Sequence, residues 1–265
     1  AELFHGPSLS FKDFGQQILC CLLDYFARRS KSKVSLLVST TGDTGPAAIC
    51  AAGGLSSLQL VVTYPLGQIS RVQELQMTTQ QSENVNVFAF EGGGDDMDAP
   101  IKALSTDQAF QRKHGLSSVN SINIGRVVAQ TVHYFWSYLR TIESKGMDMG
   151  APLQFALPCG ALGNASAGLL SKKMGLPISN ILCGTNDNDI FHRAVAAGDF
   201  SRHPDMLRTL SEAINIQVPY NFERILYLLS GHDAPRIDGC MQQLETEGRI
   251  DLSAASALKT PASKL

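Results

Sequence analysis

Twice along the chain a short apolar run ends in a glycine-rich turn and restarts as a helix, and this pattern restricts the fold more than any other feature. The first case is residues 34–38, the turn Ser39-Thr-Thr-Gly-Asp-Thr-Gly45 and a helical stretch over 46–52, where Pro46 suits a first helical turn. The second is residues 153–157, the turn Pro158-Cys-Gly-Ala-Leu-Gly-Asn164 and a helical stretch over 165–174. Apolar runs this short and unbroken read as strands buried on both faces. Residues 58–63, 85–90 and 178–183 read the same way, with helices predicted at 16–28, 72–77, 101–113, 126–142 and 189–197. Asp13 is expected to cap the first of these, and Ser121 or Asn123 the one at 126–142. Strands alternating with helices predict an α/β fold with mostly parallel sheets covered by helices. Residues 145–151 read as a connector, and after Asp233 the pattern loosens with no further strand expected.

Bulk properties exclude several classes. The chain has 265 residues, 44% hydrophobic and 17% charged, which suits a globular protein with a sizeable core in two lobes. Its net charge of −2 lacks the basic excess expected of a nucleic-acid binder. The apolar runs are too short and interrupted to span a bilayer, so no membrane partner is expected. No basic and apolar leader is visible, which predicts a cytoplasmic or other intracellular protein. The six cysteines form no Cys-x-x-Cys pair, so free thiols and no metal are expected. Gly92-Gly-Gly-Asp-Asp96 lacks ligand spacing and reads as a solvated loop.

Both glycine-rich turns follow a predicted strand and precede a predicted helix. That arrangement gathers backbone N–H groups and the positive end of a helix dipole at one spot, where an anion binds. Ser39, Thr40, Thr41 and Thr44 add hydroxyls suited to a carboxylate. Lys12 lies between Phe11 and Phe14 beside Gly6-Pro7, poorly placed for a salt bridge, so an apolar setting should lower its pKa and free the amine for attack on a carbonyl. Two anion cradles and one such lysine suit an amino acid bound through pyridoxal phosphate (PLP). The P-loop pattern is absent, and Gly160-Ala-Leu-Gly163 is not the dinucleotide fingerprint. Cys159 in the second turn is expected to be a small residue filling a tight bend, with a reactive thiol as the alternative.

These motifs resemble the threonine synthase family. Residues 2–15 look like its cofactor-lysine segment, and Thr41-Gly-Asp-Thr-Gly-Pro-Ala-Ala48 like its substrate-carboxylate loop. Ile69-Ser-x-x-Gln-Glu-Leu-Gln-Met77, Asn120-Ser-Ile-Asn123, Gly175-Leu-Pro-Ile178 and Asn186-x-Asn-Asp189 match as well, in order. The resemblance implies a two-lobed fold type II PLP enzyme (tryptophan synthase β-like). Residues 1–30 would be the cofactor-lysine segment, 31–145 a smaller α/β lobe and 151–265 an incomplete larger one, the chain being truncated at both ends. Threonine synthases usually carry Asn where this chain has Ala161. Ala161, together with the segments His192–Ser201 and Gln217–Arg224, is similar to the vertebrate threonine synthase-like branch of the second type, whose members are phospho-lyases.

The resemblance also implies roles. Lys12 would hold PLP and move the α-proton, with Asp43 near the cofactor ring. Gly160, Ala161, Leu162, Gly163 and Asn164 would bind the cofactor phosphate. Ser39, Thr40, Thr41, Gly42, Thr44 and Gly45 would hold the substrate carboxylate, and Ser121, Asn123 and Arg126 the substrate phosphate. The expected partner is a small phosphorylated amino acid, and the family admits a homodimer. The expected reaction eliminates phosphate from O-phosphohomoserine or O-phosphothreonine to a 2-oxo acid and ammonia. The alternatives are threonine synthesis or a shortened, non-catalytic form acting through protein contacts.

Overall fold

The computed structural model describes residues 1–80, 82–92 and 94–252. The chain divides into two compact units, residues 1–129 and 130–265.

In the first unit, helix α1 (Lys12–Ser30) leads into strand β1 (Val34–Ser39). Then come α2 (Thr44–Ala52), β2 (Leu58–Pro65), α3 (Arg71–Thr78) and β3 (Val85–Phe90). Helices α4 (Gly94–Thr106) and α5 (Gln108–His114) precede a two-residue strand, β4 (Leu116–Ser117). The four strands form one parallel sheet in the order β3-β2-β1-β4. Each crossover carries a helix, and the buried strand residues are apolar, whereas Gln59, Asn86 and Phe88 are exposed. Leu36, Val38, Leu58, Leu60 and Val62 from the strands pack with Leu19 of α1, Ile49 of α2 and Met77 of α3.

Three local expectations are corrected here. The first helix starts at Lys12, so Asp13 lies inside its first turn rather than capping it. Its carboxylate accepts from the Ser8 amide at 3.0 Å instead. A Cβ on Gly6 would stand 2.3 Å from the same carboxylate, so the bend before the lysine has no room for a side chain. The single helix expected over 101–113 is two helices. Asp107 breaks it by accepting from the Ala109 and Phe110 amides at 2.9 and 3.0 Å. Of the expected loop over 92–96, Gly93 lies outside the described residues, and α4 begins at Gly94.

Helix α6 (Ile124–Lys145) carries the chain from the first unit into the second. There β5 (Leu153–Pro158), α7 (Gly163–Lys173) and β6 (Ile178–Gly184) form a βαβ unit with parallel strands. Helix α8 (Ile190–Ala197), strand β7 (Asp199–Ser201), α9 (Phe222–Leu229), α10 (Ala234–Glu247) and β8 (Arg249–Asp251) follow. Strands β7 and β8 pair antiparallel, Phe200 opposite Ile250. A strand therefore follows Asp233, against expectation. Asp233 caps α10 through the Arg236 amide, and Ile237 and Leu244 bury against Phe200 and Phe222. Residues 253–265, the end of the larger lobe read from the sequence, lie outside the described residues.

Candidate functional site

The first unit gathers its chemistry around Lys12. The side chain, only 15% exposed, reaches from the first turn of α1 to the loop between β1 and α2. Its Nζ pairs with the Asp43 carboxylate and donates to Thr44 Oγ1 at 2.9 Å. The expectation that Lys12 lacks a salt bridge is therefore wrong. Its partner lies 31 residues away in sequence, beyond any local pattern. The amine's pKa is nevertheless lowered. Burial outweighs the pull of Asp43, and the nearby Arg126 guanidinium adds to the lowering. Phe14, two residues on, is exposed.

The loop over 39–45 is shaped by its own hydroxyl. Thr40 is buried, and its Oγ1 accepts from the amides of Gly42 and Gly45, both at 3.1 Å. Thr41 is exposed, while Ser39, Asp43 and Thr44 are half-buried and Gly42 and Gly45 buried. Gln16, fully buried one turn along α1 from Lys12, donates to the Thr44 carbonyl at 3.3 Å and to Val119 at 3.4 Å. The sequence reading missed Gln16. Its position four residues after Lys12, on the same helix face, was the available signal.

Arg126 is buried at 2% exposure. It donates from Nη1 to the Val119 carbonyl at 3.2 Å, and its Nε has no hydrogen-bond partner among the described residues. Burial lowers its pKa to about 10, with Asp43 opposing the shift. A buried guanidinium with a spare donor is a strong anion receptor. Asn123 caps α6 by accepting from the Gly125 amide at 2.9 Å, and it donates to the Ser118 carbonyl at 2.6 Å. Ser121, two residues earlier, is half-buried.

In the second unit the turn over 158–164 joins β5 to α7. Leu162 is left-handed at φ 60°, and the helix starts at the next residue, Gly163. Successive amides in such a reversal face one concavity, at the positive end of α7. A Cβ on Gly160 would lie 2.9 Å from Ile214 Cγ2, so glycine is needed there for close approach. The turn is held from two sides. From α6, Tyr134 Oη donates to the Asn164 carbonyl at 2.9 Å, and His133 Nε2 meets Asn164 Oδ1 at 3.0 Å. From the start of α9, Asn221 holds the Ala161 carbonyl. None of His133, Tyr134 and Asn221 was singled out from sequence as a site residue. Cys159 is buried, its thiol donates to the Leu157 carbonyl at 3.8 Å, and the neighbouring Cys183 together with burial pushes its pKa up. That favours the packing role over a reactive thiol.

Among the described residues no cluster of His, Cys, Asp and Glu could hold a metal, and no helix is long and apolar enough to cross a membrane.

No family model matches the chain. Individual proteins do. Threonine synthase-like 2 of Rattus norvegicus is 44% identical over 251 residues, covering 95% of this chain and 52% of the relative. The Homo sapiens protein of that name is 41% identical over the same span, with the same coverage. Threonine synthase of Saccharomyces cerevisiae is 36% identical over 268 residues, again 95% of this chain and 52% of the relative. Among solved structures, PLP-bound threonine synthase from Brucella melitensis superposes with a TM-score of 0.89 at 36% identity, covering 99% of this chain and 55% of that one. Yeast threonine synthase gives 0.87 at 34% identity, covering 99% and 54%. A PLP-dependent aspartate racemase, 14% identical with a TM-score of 0.60 over 97% of this chain and 74% of that one, shares the fold alone. The architecture is thus that of the fold type II PLP enzymes, mainly parallel α/β with helices on the sheet. Within that class the chain belongs to the threonine synthase family. It spans about half the length of the curated relatives it matches.

Proposed function

We propose that the protein is a PLP-dependent phospho-lyase acting on O-phosphorylated hydroxy-amino acids of the phosphohomoserine or phosphothreonine type. The observation that carries this reading is Lys12, a buried amine with a lowered pKa, ion-paired to Asp43 at the head of α1. A lowered pKa makes more of the neutral form available, the form that attacks a carbonyl and accepts a proton. The donor set fits the cofactor: such a lysine in one unit, and in the other a left-handed turn feeding a helix N-terminus, as a phosphate monoester requires. When bound, PLP supplies an electron sink for charge developing at the substrate α-carbon.

The chain's own residues take the remaining roles. Lys12 anchors the cofactor, then removes the α-proton of the substrate. Asp43 and Thr44 hold the Lys12 amine in place, Asp43 beside the cofactor ring. Gly160, Ala161, Leu162, Gly163 and Asn164 offer backbone donors to the cofactor phosphate. Residues 39–45 receive the substrate carboxylate. Arg126, with Ser121 and Asn123, receives the substrate phosphate, for which the spare Nε donor of Arg126 is suited. The net reaction consumes one water and releases a 2-oxo acid, ammonia and phosphate. Ala161, and identities of 41 to 44% to mammalian threonine synthase-like 2 proteins against 36 to 38% to threonine synthases, favour elimination over threonine formation.

Two measurements test this. PLP is added to the protein and to Lys12→Ala, and the absorption spectrum is followed by borohydride reduction and peptide mapping. A band and a covalent label that both depend on Lys12 are expected; their absence sinks the cofactor assignment. O-phosphohomoserine is then supplied. 2-Oxobutyrate supports the lyase, whereas threonine would identify a synthase.

A further inference from the structure

The geometry assigns Asn221, oriented by Arg224, as the positioning residue that aims the backbone donors of the 158–164 turn at a bound phosphate monoester. The inference rests on the reading above that this turn holds the cofactor phosphate.

Asn221 is wholly buried at the start of α9. It spends two donors on one acceptor. Its backbone N–H and its Nδ2 both reach the Ala161 carbonyl oxygen, at 3.1 and 2.8 Å. A carbonyl oxygen has two lone pairs, so one residue saturates it. The peptide linking Ala161 to Leu162 is planar and trans, so its N–H points opposite its C=O. Pinning the Ala161 oxygen toward Asn221 therefore turns the Leu162 N–H to the other side. Leu162 is left-handed and Gly163 opens α7, so the amides that follow curve toward the same side. Two hydrogen bonds at the back of the turn thus set the direction of the donors at its front.

An amide side chain could do this only one way round. The Arg224 guanidinium donates to Asn221 Oδ1 and holds the oxygen toward itself, which leaves the NH2 group facing Ala161. Arg224 stands three residues along, on the first turn of α9. The relay runs from the Arg224 guanidinium through the Asn221 amide and the Ala161 carbonyl to the Leu162 N–H. Asn221 and Arg224 belong to the segment 217–224, which the sequence marks without a task. An Ala at 161 contributes no side-chain donor of its own, so the backbone donors and their orientation carry the weight at this turn.

The test compares PLP with pyridoxal, which has the same aldehyde and ring but no phosphate. Dissociation constants for both are measured on the wild-type protein, Asn221→Asp and Arg224→Met. The aspartate keeps the size of Asn221 and its attraction to Arg224 but faces Ala161 with an acceptor. The wild type should prefer PLP. In Asn221→Asp the ratio of PLP to pyridoxal affinity should fall about tenfold or more, with pyridoxal binding within about twofold of wild type. Arg224→Met should move the ratio in the same direction by less. A ratio that survives in a folded Asn221→Asp overturns the role of Asn221. Equal losses for both ligands also overturn it, since they mark a general structural defect. Should Asn221→Asp not fold, Arg224→Met decides by the same criterion. A wild type with no preference for PLP overturns the phosphate assignment itself, and the proposal falls with it.

Discussion

Lys12 is set between two opposed charges. Asp43 favours its protonated form, Arg126 disfavours it, and burial decides the outcome by lowering the pKa. Removing either partner should move the amine in a known direction. Asp43→Asn takes away the group that holds the proton on Lys12, so the pKa should fall further and the amine should react at lower pH than in wild type. Arg126→Met removes the positive neighbour, so the pKa should rise and the reactive form should appear at higher pH. The check is the pH dependence of Lys12 acylation, followed by peptide mass spectrometry. No shift in either variant would show that burial alone sets the amine. The lysine itself was legible from its neighbours, because Gly6-Pro7 and Phe11 announce a constrained segment. Its partners were not, because Asp43, Thr44 and Arg126 come to it through the β1–α2 crossover and the start of α6.

At the level of elements, the strands read as apolar runs are strands, and their boundaries agree to within a residue or two, because each run is short, mostly apolar and bounded by turn residues. The pieces missed are those whose existence depends on distant pairing. Strand β4 has two residues and exists because Ser35 and Leu36 offer it an edge. Strand β8 has three and exists because β7 does. Helix α9 is short, with its apolar residues Phe222, Ile225 and Leu226 buried in the second unit's core. Connections between elements are fixed by side chains that no periodicity reveals, and Asn84 is the clearest case. It is buried just before β3, accepts from the Gly54 amide at 2.8 Å, and donates to the carbonyls of Ala52, Leu55 and Leu58 at 2.8, 3.2 and 3.1 Å. One amide thus ties the end of α2 and the start of β2 to the neighbouring strand. Asn84→Ala would strand several buried backbone groups at once, at a cost of about 2–3 kcal/mol. Asn84→Asp should cost at least as much, because its carboxylate would face three carbonyl oxygens. Urea denaturation measures both, and a loss under about 0.5 kcal/mol, the range of an ordinary surface change, would remove Asn84 from this role.

Across the whole molecule, each unit closes a core of its own, and the two sets of buried apolar residues share no member. Leu36, Leu58, Leu60 and Val62 belong to the core of the first unit; Phe200, Phe222, Leu226 and Leu244 belong to that of the second. Cooperativity follows shared burial, so a chain with two closed cores need not melt in one step. Calorimetry should resolve two transitions, and core truncations should sort between them. Leu36→Ala, at a position 1% exposed, should lower the transition of the first unit by the equivalent of about 2–5 kcal/mol and leave the other in place. Leu244→Ala, also 1% exposed, should do the converse. A single transition displaced equally by Leu36→Ala and Leu244→Ala would mean that the two cores unfold together.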